Sequence, residues 1–533
     1  MLRYGTWRCD LYRYASGSGG RAESAAIPAA RRPVRSDHRG FGDAEKPGCT
    51  GVNCIVGIDD VLRRLPKVDQ LLAQRDVSDL INQFGRGPVL DWAREAIQRC
   101  RRQIQGGELP DEVDGPRLLE RVVASLRQLA DGEHVQRLQT VINATGVILH
   151  TNLGRAPLAA AAVERLTQTS GYTNLEVDLS TGRRGRRGAR VRRLLARLTG
   201  AEDALVVNNC ASATLLTLQA VAAGREVILA RGQLVEIGGR FRLPDVFRAS
   251  GAMLCEVGTT NRTYLEDYRQ AMGEQTAAIL RVHRSNFSLT GFVSEPTLQE
   301  LSRELPRPAG VALIDDLGSG LVHSLESLGI DEPVVQDSVR QGADLVLFSG
   351  DKLFGGPQAG IVVGRRAWID RLASHPLMRA VRCDKLTLAA LEATTELHVR
   401  GDLTAIPVYR MLMQTESQLE DRARRLTAAI TRLADGQGGP VPPMQIAVSQ
   451  SQIGGGSAPG HVLPSRAVTI AAAHLDALAT ALRLGQPAVL ARCHGDRLWL
   501  DMRTVDDAEV ETLAQRVVSA GAGRHLQGDR GDG

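Results

Sequence analysis

Between Ala204 and Gly364 the chain alternates short apolar runs with helical stretches, and this alternation constrains the fold more than any other feature. The runs are ALVV (204–207), EVILA (226–230), AMLCEV (252–257), AAILRV (277–282), VALIDD (311–316), ADLVLFS (343–349) and GIVVG (360–364). A strand with one solvated face alternates apolar and polar residues, whereas a continuous apolar run suits a strand buried on both faces. Repeated β–α alternation of this kind predicts an α/β fold with a mainly parallel central sheet covered by helices. Such sheets bind ligands in the loops at the carboxyl ends of their strands.

The flanking segments have a different texture. Residues 1–57 are rich in Gly, Ser, Ala and Arg without sustained periodicity, and read as a disordered or spurious extension. Residues 58–140 place apolar residues at three- and four-residue spacing in VLRRLPKVDQLLAQ, VLDWAREAIQRCRRQI and RLLERVVASLRQLA, which predicts a small helical domain. The alternating region is expected to form a large domain over 141–386. A smaller α+β domain is expected over 387–521, and a disordered tail over 522–533.

Composition is that of a globular protein, with 43% hydrophobic and 23% charged residues. No apolar window is long enough for a membrane-spanning helix. The first twenty residues are basic but lack the apolar core of a secretory signal. The eight cysteines are scattered singly and no C-x-x-C occurs, so neither a zinc site nor a disulfide framework is indicated, and a reducing, cytoplasmic location is the default. The net charge of +5 does not make the whole chain a polybasic binder.

Of the 65 basic residues only four are lysine: Lys46, Lys67, Lys352 and Lys385. In a chain that uses arginine almost everywhere, a retained lysine points to chemistry that needs a deprotonatable amine. Lys352 lies in SGDKLFGGPQAG, three residues after Ser349 ends an expected strand and among glycines that allow a flat ligand to approach the backbone. An amine there can form a Schiff base with pyridoxal phosphate. That cofactor needs a carboxylate for its ring nitrogen, and VALIDDLGSG offers Asp315 or Asp316, which must point to opposite faces of their strand. Its phosphate suits a helix amino terminus, and VVNNCASATLLTLQA supplies one near Cys210, Ala211 and Ser212.

The motifs INATGVILHTNLGRAPL, DLSTGRRGRRGARV, VVNNCASAT, EIGGRFRLPDV, EVGTTNRT, VHRSNFSLTGF, DLGSG and SGDKLFGGPQAG, in this order, resemble those of the bacterial L-seryl-tRNA(Sec) selenium transferases. The similarity runs from about residue 59 to about residue 515. The resemblance implies a fold-type-I pyridoxal phosphate enzyme that converts serine on tRNA(Sec) to selenocysteine with selenophosphate, through a cofactor-bound dehydroalanyl-tRNA. It also implies a homo-oligomer, a decameric ring of dimers, with the amino-terminal helical domain gripping the tRNA. The alternative is a diverged lyase or ammonia-lyase acting on a free amino acid.

By the same resemblance Lys352 is the Schiff-base lysine, Asp351 its catalytic neighbour and Asp316 the ring-nitrogen carboxylate. Ser349 and Asn286 join Cys210, Ala211 and Ser212 around the cofactor. Arg379 and Arg382 match arginines that handle the selenium donor, and Arg155 and Arg186 match further anion-holding positions. The eight arginines between Arg183 and Arg197 can wrap phosphate groups or form a solvated surface. His283, at another strand end, can serve the chemistry or simply hold the backbone. Two residues depart from the family pattern: Cys210 stands in place of an asparagine, and Gln233 in place of a glutamate.

Overall fold

The computed structural model describes residues 58–108, 114–238 and 241–522. The expected extension at 1–57 lies outside the described residues, as does the expected tail at 522–533 apart from Ala522, which ends the last helix. The described chain forms two compact units, one reaching Asp131 and one beginning at Gly132.

The first unit is helical, with helices Ile58–Arg63, Val68–Leu72, Arg75–Phe84, Arg86–Gln105 and most of Gly115–Gln136. Leu71, Val77, Val89, Ala93, Leu118, Val122 and Leu126 are fully buried and form its core. The periodic run over 61–74 is two helices rather than one, because Pro66 has no N–H to continue the first. Phe84 packs edge-to-face on Trp92 at 5.1 Å, joining the third and fourth helices.

The second unit holds the strands, in chain order β1 (Val141–Ala144), β2 (Asp203–Val207), β3 (Glu226–Ala230), β4 (Glu236–Ile237), β5 (Phe241–Arg242), β6 (Met253–Val257) and β7 (Thr276–Val282). There follow β8 (Ala312–Gly318), β9 (Leu345–Ser349), β10 (Gly360–Gly364), β11 (Met444–Gln452), β12 (Val462–Ala471), β13 (Ala488–His494) and β14 (Arg497–Asp501). The large sheet has the order β2-β10-β9-β8-β7-β3-β6. All its neighbouring pairs are parallel except those made by β10, which runs antiparallel to both β2 and β9.

Alternate side chains of this sheet enter two separate cores. Leu205, Val207, Leu229, Leu280 and Leu347 face one, and Val206, Ile228, Ile279, Leu313 and Phe348 face the other. Both faces are covered, which is why the strands read as unbroken apolar runs.

A second sheet, β1-β13-β14-β12-β11, forms the smaller carboxy-terminal layer. Its edge strand β1 pairs in parallel with β13, so residues 141–144 belong to the small sheet, a correction to the assignment of 141–386 wholly to the large domain. The chain enters the small layer first and then crosses to build the large sheet. The helix Lys385–Arg400, expected to open the small domain, packs on helices Ala160–Gln168 and Ala189–Thr199 of the large one.

Candidate active site

The carboxyl ends of β8 and β9 and the loop after β2 converge on one place. At the end of β8 the pleat sends Asp315 and Asp316 apart. Asp315 is fully buried and accepts hydrogen bonds from Arg281 (3.0 Å) and Ser338 (2.6 Å), so its role is structural. Asp316 accepts from the Thr214 hydroxyl at 2.9 Å and lies 3.6 Å from the Cys210 thiol. Those two donors are four residues apart on the helix Cys210–Ala222 and therefore share a face.

Burial raises the pKa of Asp316, against the lowering effects of the Thr214 hydrogen bond and the charge of Lys352. No arginine or lysine forms a salt bridge with it among the described residues. Burial also pushes the Cys210 thiol well up, and the charge of Asp316 adds to this, so the thiol stays protonated and serves as a donor.

Lys352 follows β9 in a tight turn, in which the Gly350 N–H donates to Ala359 O (2.8 Å), Gly356 to Gly350 O (2.8 Å) and Leu353 to Ser319 O (2.9 Å). It is only 5% exposed. Burial lowers the pKa of its amine below that of an ordinary lysine. Arg155 pushes in the same direction, while Cys210, Asp316 and Asp351 oppose. A Cβ on Gly318 would stand 3.6 Å from the Lys352 amine and 3.8 Å from the Ser285 hydroxyl, so these two groups flank one small space.

Asp351, 6% exposed, is paired with Arg155 at 2.8 Å, and the Ala156 N–H donates to Asp351 O at 3.2 Å. Arg155 was expected to hold an anion; its guanidinium instead engages Asp351. Its backbone is in the left-handed region at φ 63°.

The helix Cys210–Ala222 is capped by Asn209, whose side-chain oxygen accepts from the Ser212 N–H at 2.8 Å. The first N–H groups of a helix, here Cys210 and Ala211, have no intrahelical partner and attract an anion. Gly360 permits this arrangement: a Cβ there would sit 2.1 Å from the Asn209 carbonyl oxygen. Ser349 lies beside the Cys210 thiol. Asn286 is turned elsewhere: it is exposed, and its amide donates to Glu236 O at 2.7 Å. The member of the Ser285–Asn286 pair beside the lysine is Ser285, which corrects the expectation for Asn286.

A separate cavity of about 640 Å³ collects Arg184, Arg186, Arg187, Arg192, Arg379 and Arg382. Glu176 pairs with Arg184 and Arg187 (both 3.0 Å), and Asp203 with Arg192 (2.8 Å). Arg186 is 3.7 Å from Asp370. Arg379 and Arg382 have no carboxylate partner among the described residues. Asp384 does not engage them, because it caps the helix Lys385–Arg400 by accepting from the Leu386 and Thr387 N–H groups. Three of the four expected anion-binding arginines thus meet in one cavity, and Arg155 stands apart.

Of the two departures from the pattern, Cys210 donates to Asp316. Gln233 is buried away from this contact, accepting from the Val282 N–H (2.8 Å) and donating to Glu295. A glutamate at 233 would face Glu295 directly, and the neutral amide avoids that repulsion.

The chain matches the model of the L-seryl-tRNA selenium transferase family over residues 141–506, and that of the selenocysteine synthase N-terminal region over residues 62–101. The chain belongs to this family. It is 47% identical to the L-seryl-tRNA(Sec) selenium transferase of Moorella thermoacetica over 469 residues, 86% of this chain and 97% of the relative. It is 45% identical to the enzyme of that name from Hyphomonas neptunium over 465 residues, 86% and 98% of the two chains.

Among solved structures, a D-glucosaminate-6-phosphate ammonia-lyase matches with a TM-score of 0.51 and 22% identity, covering 74% of this chain and 98% of that one, a likeness of fold. Membership of the family, and not this likeness, makes the chain a fold-type-I pyridoxal phosphate enzyme. The site fits the cofactor. Lys352 offers a buried amine of lowered pKa, Asp316 a half-buried carboxylate with no cationic salt-bridge partner among the described residues, and the capped helix start an anion seat.

Proposed function

We propose that this selenium transferase converts L-seryl-tRNA(Sec) to L-selenocysteinyl-tRNA(Sec) with selenophosphate as donor. The observation that carries the chemical part is the buried Lys352 amine set between Asp316 and the Asp351–Arg155 pair. Bound pyridoxal phosphate supplies an electron sink that makes the α-proton of the seryl group labile. Lys352 would hold it covalently, Asp316 would face its ring nitrogen, and the N–H groups at Cys210 and Ala211 would face its phosphate.

The roles of the chain's own groups follow from their surroundings. Burial favours the neutral Lys352 amine, the form that can accept a proton at Nζ. Thr214 and Cys210 fix the orientation of Asp316 through their hydrogen bonds. Arg155 holds Asp351 in place beside the lysine. Arg379 and Arg382, without carboxylate partners among the described residues, and Arg186 beside them suit a small polyanion such as selenophosphate, because a guanidinium fork pairs with phosphate-type oxygens and stays charged. The helical unit would take the tRNA body. A cytoplasmic location and assembly as a ring of dimers complete the proposal.

A free amino acid is the less favoured substrate: the amino-terminal region matches a family model of its own, and a lyase acting on a small molecule has no need of it. The deciding experiment supplies selenophosphate with either seryl-tRNA(Sec) or free serine and follows selenium incorporation. Turnover confined to the tRNA substrate is expected.

A further inference from the structure

The space around the Lys352 amine has a second wall, contributed by the chain between β11 and β12. A Cβ on Gly456 would stand 3.8 Å from the Lys352 amine and 3.5 Å from the Ser285 hydroxyl. Gly454, Gly455 and Gly456 all lie in the left-handed region, at φ 74°, 63° and 75°. The first two fit against Val147 and Leu149, where a Cβ would come within 2.5 Å and 2.8 Å. At its near end this segment is fixed by backbone hydrogen bonds from Ile148 to Gln452 O (2.9 Å) and from Leu149 to Ile453 O (2.8 Å).

Its far end is held by one side chain. Ala458 is left-handed at φ 44°, a conformation that a residue with a Cβ adopts only when its surroundings impose it. Its N–H donates to Glu332 Oε2 at 2.9 Å. The Glu332 side chain is almost completely buried, and its other oxygen lies 3.3 Å from His283 Nε2. His283 in turn donates its backbone N–H to Asp316 O at 2.9 Å and stands two residues before Ser285. One carboxylate therefore touches both walls of the lysine's space: the glycine segment through Ala458, and the end of β7 through His283.

We propose that Glu332 is a positioning residue for Lys352, acting through the glycine segment 454–458. By accepting from Ala458 it holds that segment in its left-handed path and keeps Gly456 against the amine. His283 Nε2 packs 3.3 Å from the other carboxylate oxygen, without a hydrogen bond between them. The inference rests on the reading of Lys352 as the cofactor lysine, but the clamp itself can be measured without cofactor.

The test compares Glu332→Ala, Glu332→Asp and Glu332→Gln. Aspartate is one methylene too short to reach Ala458, whereas the glutamine oxygen can still accept from it. Hydrogen exchange of the 453–461 peptide is measured in cofactor-free protein, and the rate of borohydride reduction of the cofactor bound at Lys352 in loaded protein. Alanine and aspartate are expected to speed exchange of that peptide by about tenfold or more and to accelerate reduction, with glutamine within about threefold of wild type in both.

Unchanged exchange in Glu332→Ala would overturn the proposal, as would unchanged exchange in Glu332→Asp if the alanine variant does not fold. So would a glutamine variant as loose as alanine, and so would faster exchange with an unaltered reduction rate. The two readings can fail separately: loss of the reducible adduct in no lysine variant but Lys385→Ala would sink the role of Lys352, while the exchange data would still report the clamp.

Discussion

The Arg155 guanidinium lies 2.8 Å from the carboxylate of Asp351, the residue immediately before the buried Lys352. Two segments almost 200 residues apart in sequence are thereby joined beside the reactive amine, and a cation is brought close enough to lower its pKa.

Replacing Arg155 by alanine removes that cation and leaves Asp351 buried without its partner. Breaking a buried pair costs about 3–5 kcal/mol, and the partial exposure of Arg155 reduces this to about 1–3 kcal/mol here. The amine pKa should rise, because a charge that opposed its protonation is gone. A smaller fraction of Lys352 is then neutral at any given pH, so the acid limb of the pH–rate profile should move to higher pH. A profile that stayed in place or moved to lower pH would contradict the assigned coupling.

Thr214→Val keeps the shape of the side chain but deletes the 2.9 Å hydrogen bond to Asp316. Hydrogen bonds to charged groups contribute about 1.5–3 kcal/mol. Burial already raises the Asp316 pKa, and losing this bond raises it further, which weakens its hold on a protonated ring nitrogen. Affinity for pyridoxal phosphate, measured by titration of the cofactor-free protein, should fall by about tenfold or more. Thr214→Ser should restore most of it. Wild-type affinity in the valine variant would place the ring-nitrogen contact elsewhere.

Arg379→Ala and Arg382→Ala should each separate the two halves of the reaction. Neither arginine is engaged in a described ion pair, so their loss should not disturb the fold. Single-turnover loss of the seryl hydroxyl without donor should proceed nearly as in wild type. Donor affinity should fall by about one to two orders of magnitude, the equivalent of one charge-assisted contact. If tRNA affinity fell and both steps slowed together, these arginines would belong to the tRNA site.

Deleting residues 1–139 should leave cofactor binding intact and abolish recognition of tRNA(Sec). Gel-shift binding and the visible absorbance of the loaded protein report the two properties independently. Equal turnover of seryl-tRNA(Sec) by truncated and full-length protein would remove the helical unit from the account.

The large sheet was legible because its strands are buried on both faces, so EVILA and GIVVG coincide with β3 and β10. The direction of β10 was not, since an antiparallel strand buried on both faces carries the same apolar run as a parallel one. The placement of β1 depends on pairing with β13 about 350 residues later, and a local pattern carries no information about such a partner. Lys352 stood out by its type and its position after a strand end, whereas type and position left Asp315 and Asp316 open and only the family resemblance chose Asp316. Thr214 was missed, although its four-residue spacing from Cys210 on a helix was a usable signal. Ser285 and Glu332 carry no such signal, because they reach the site only through the folding of separate loops.

The most direct test of the central claim is a single-turnover reaction of Lys352→Ala and wild-type protein with seryl-tRNA(Sec), pyridoxal phosphate and selenophosphate. Wild type should form selenocysteinyl-tRNA(Sec) and carry a borohydride-reducible cofactor adduct. The variant should fold, lack the adduct and form no product, and Lys352→Arg should do no better, because a guanidinium does not release its proton. Product formation by Lys352→Ala, or a reducible adduct that persists in it, would contradict the account.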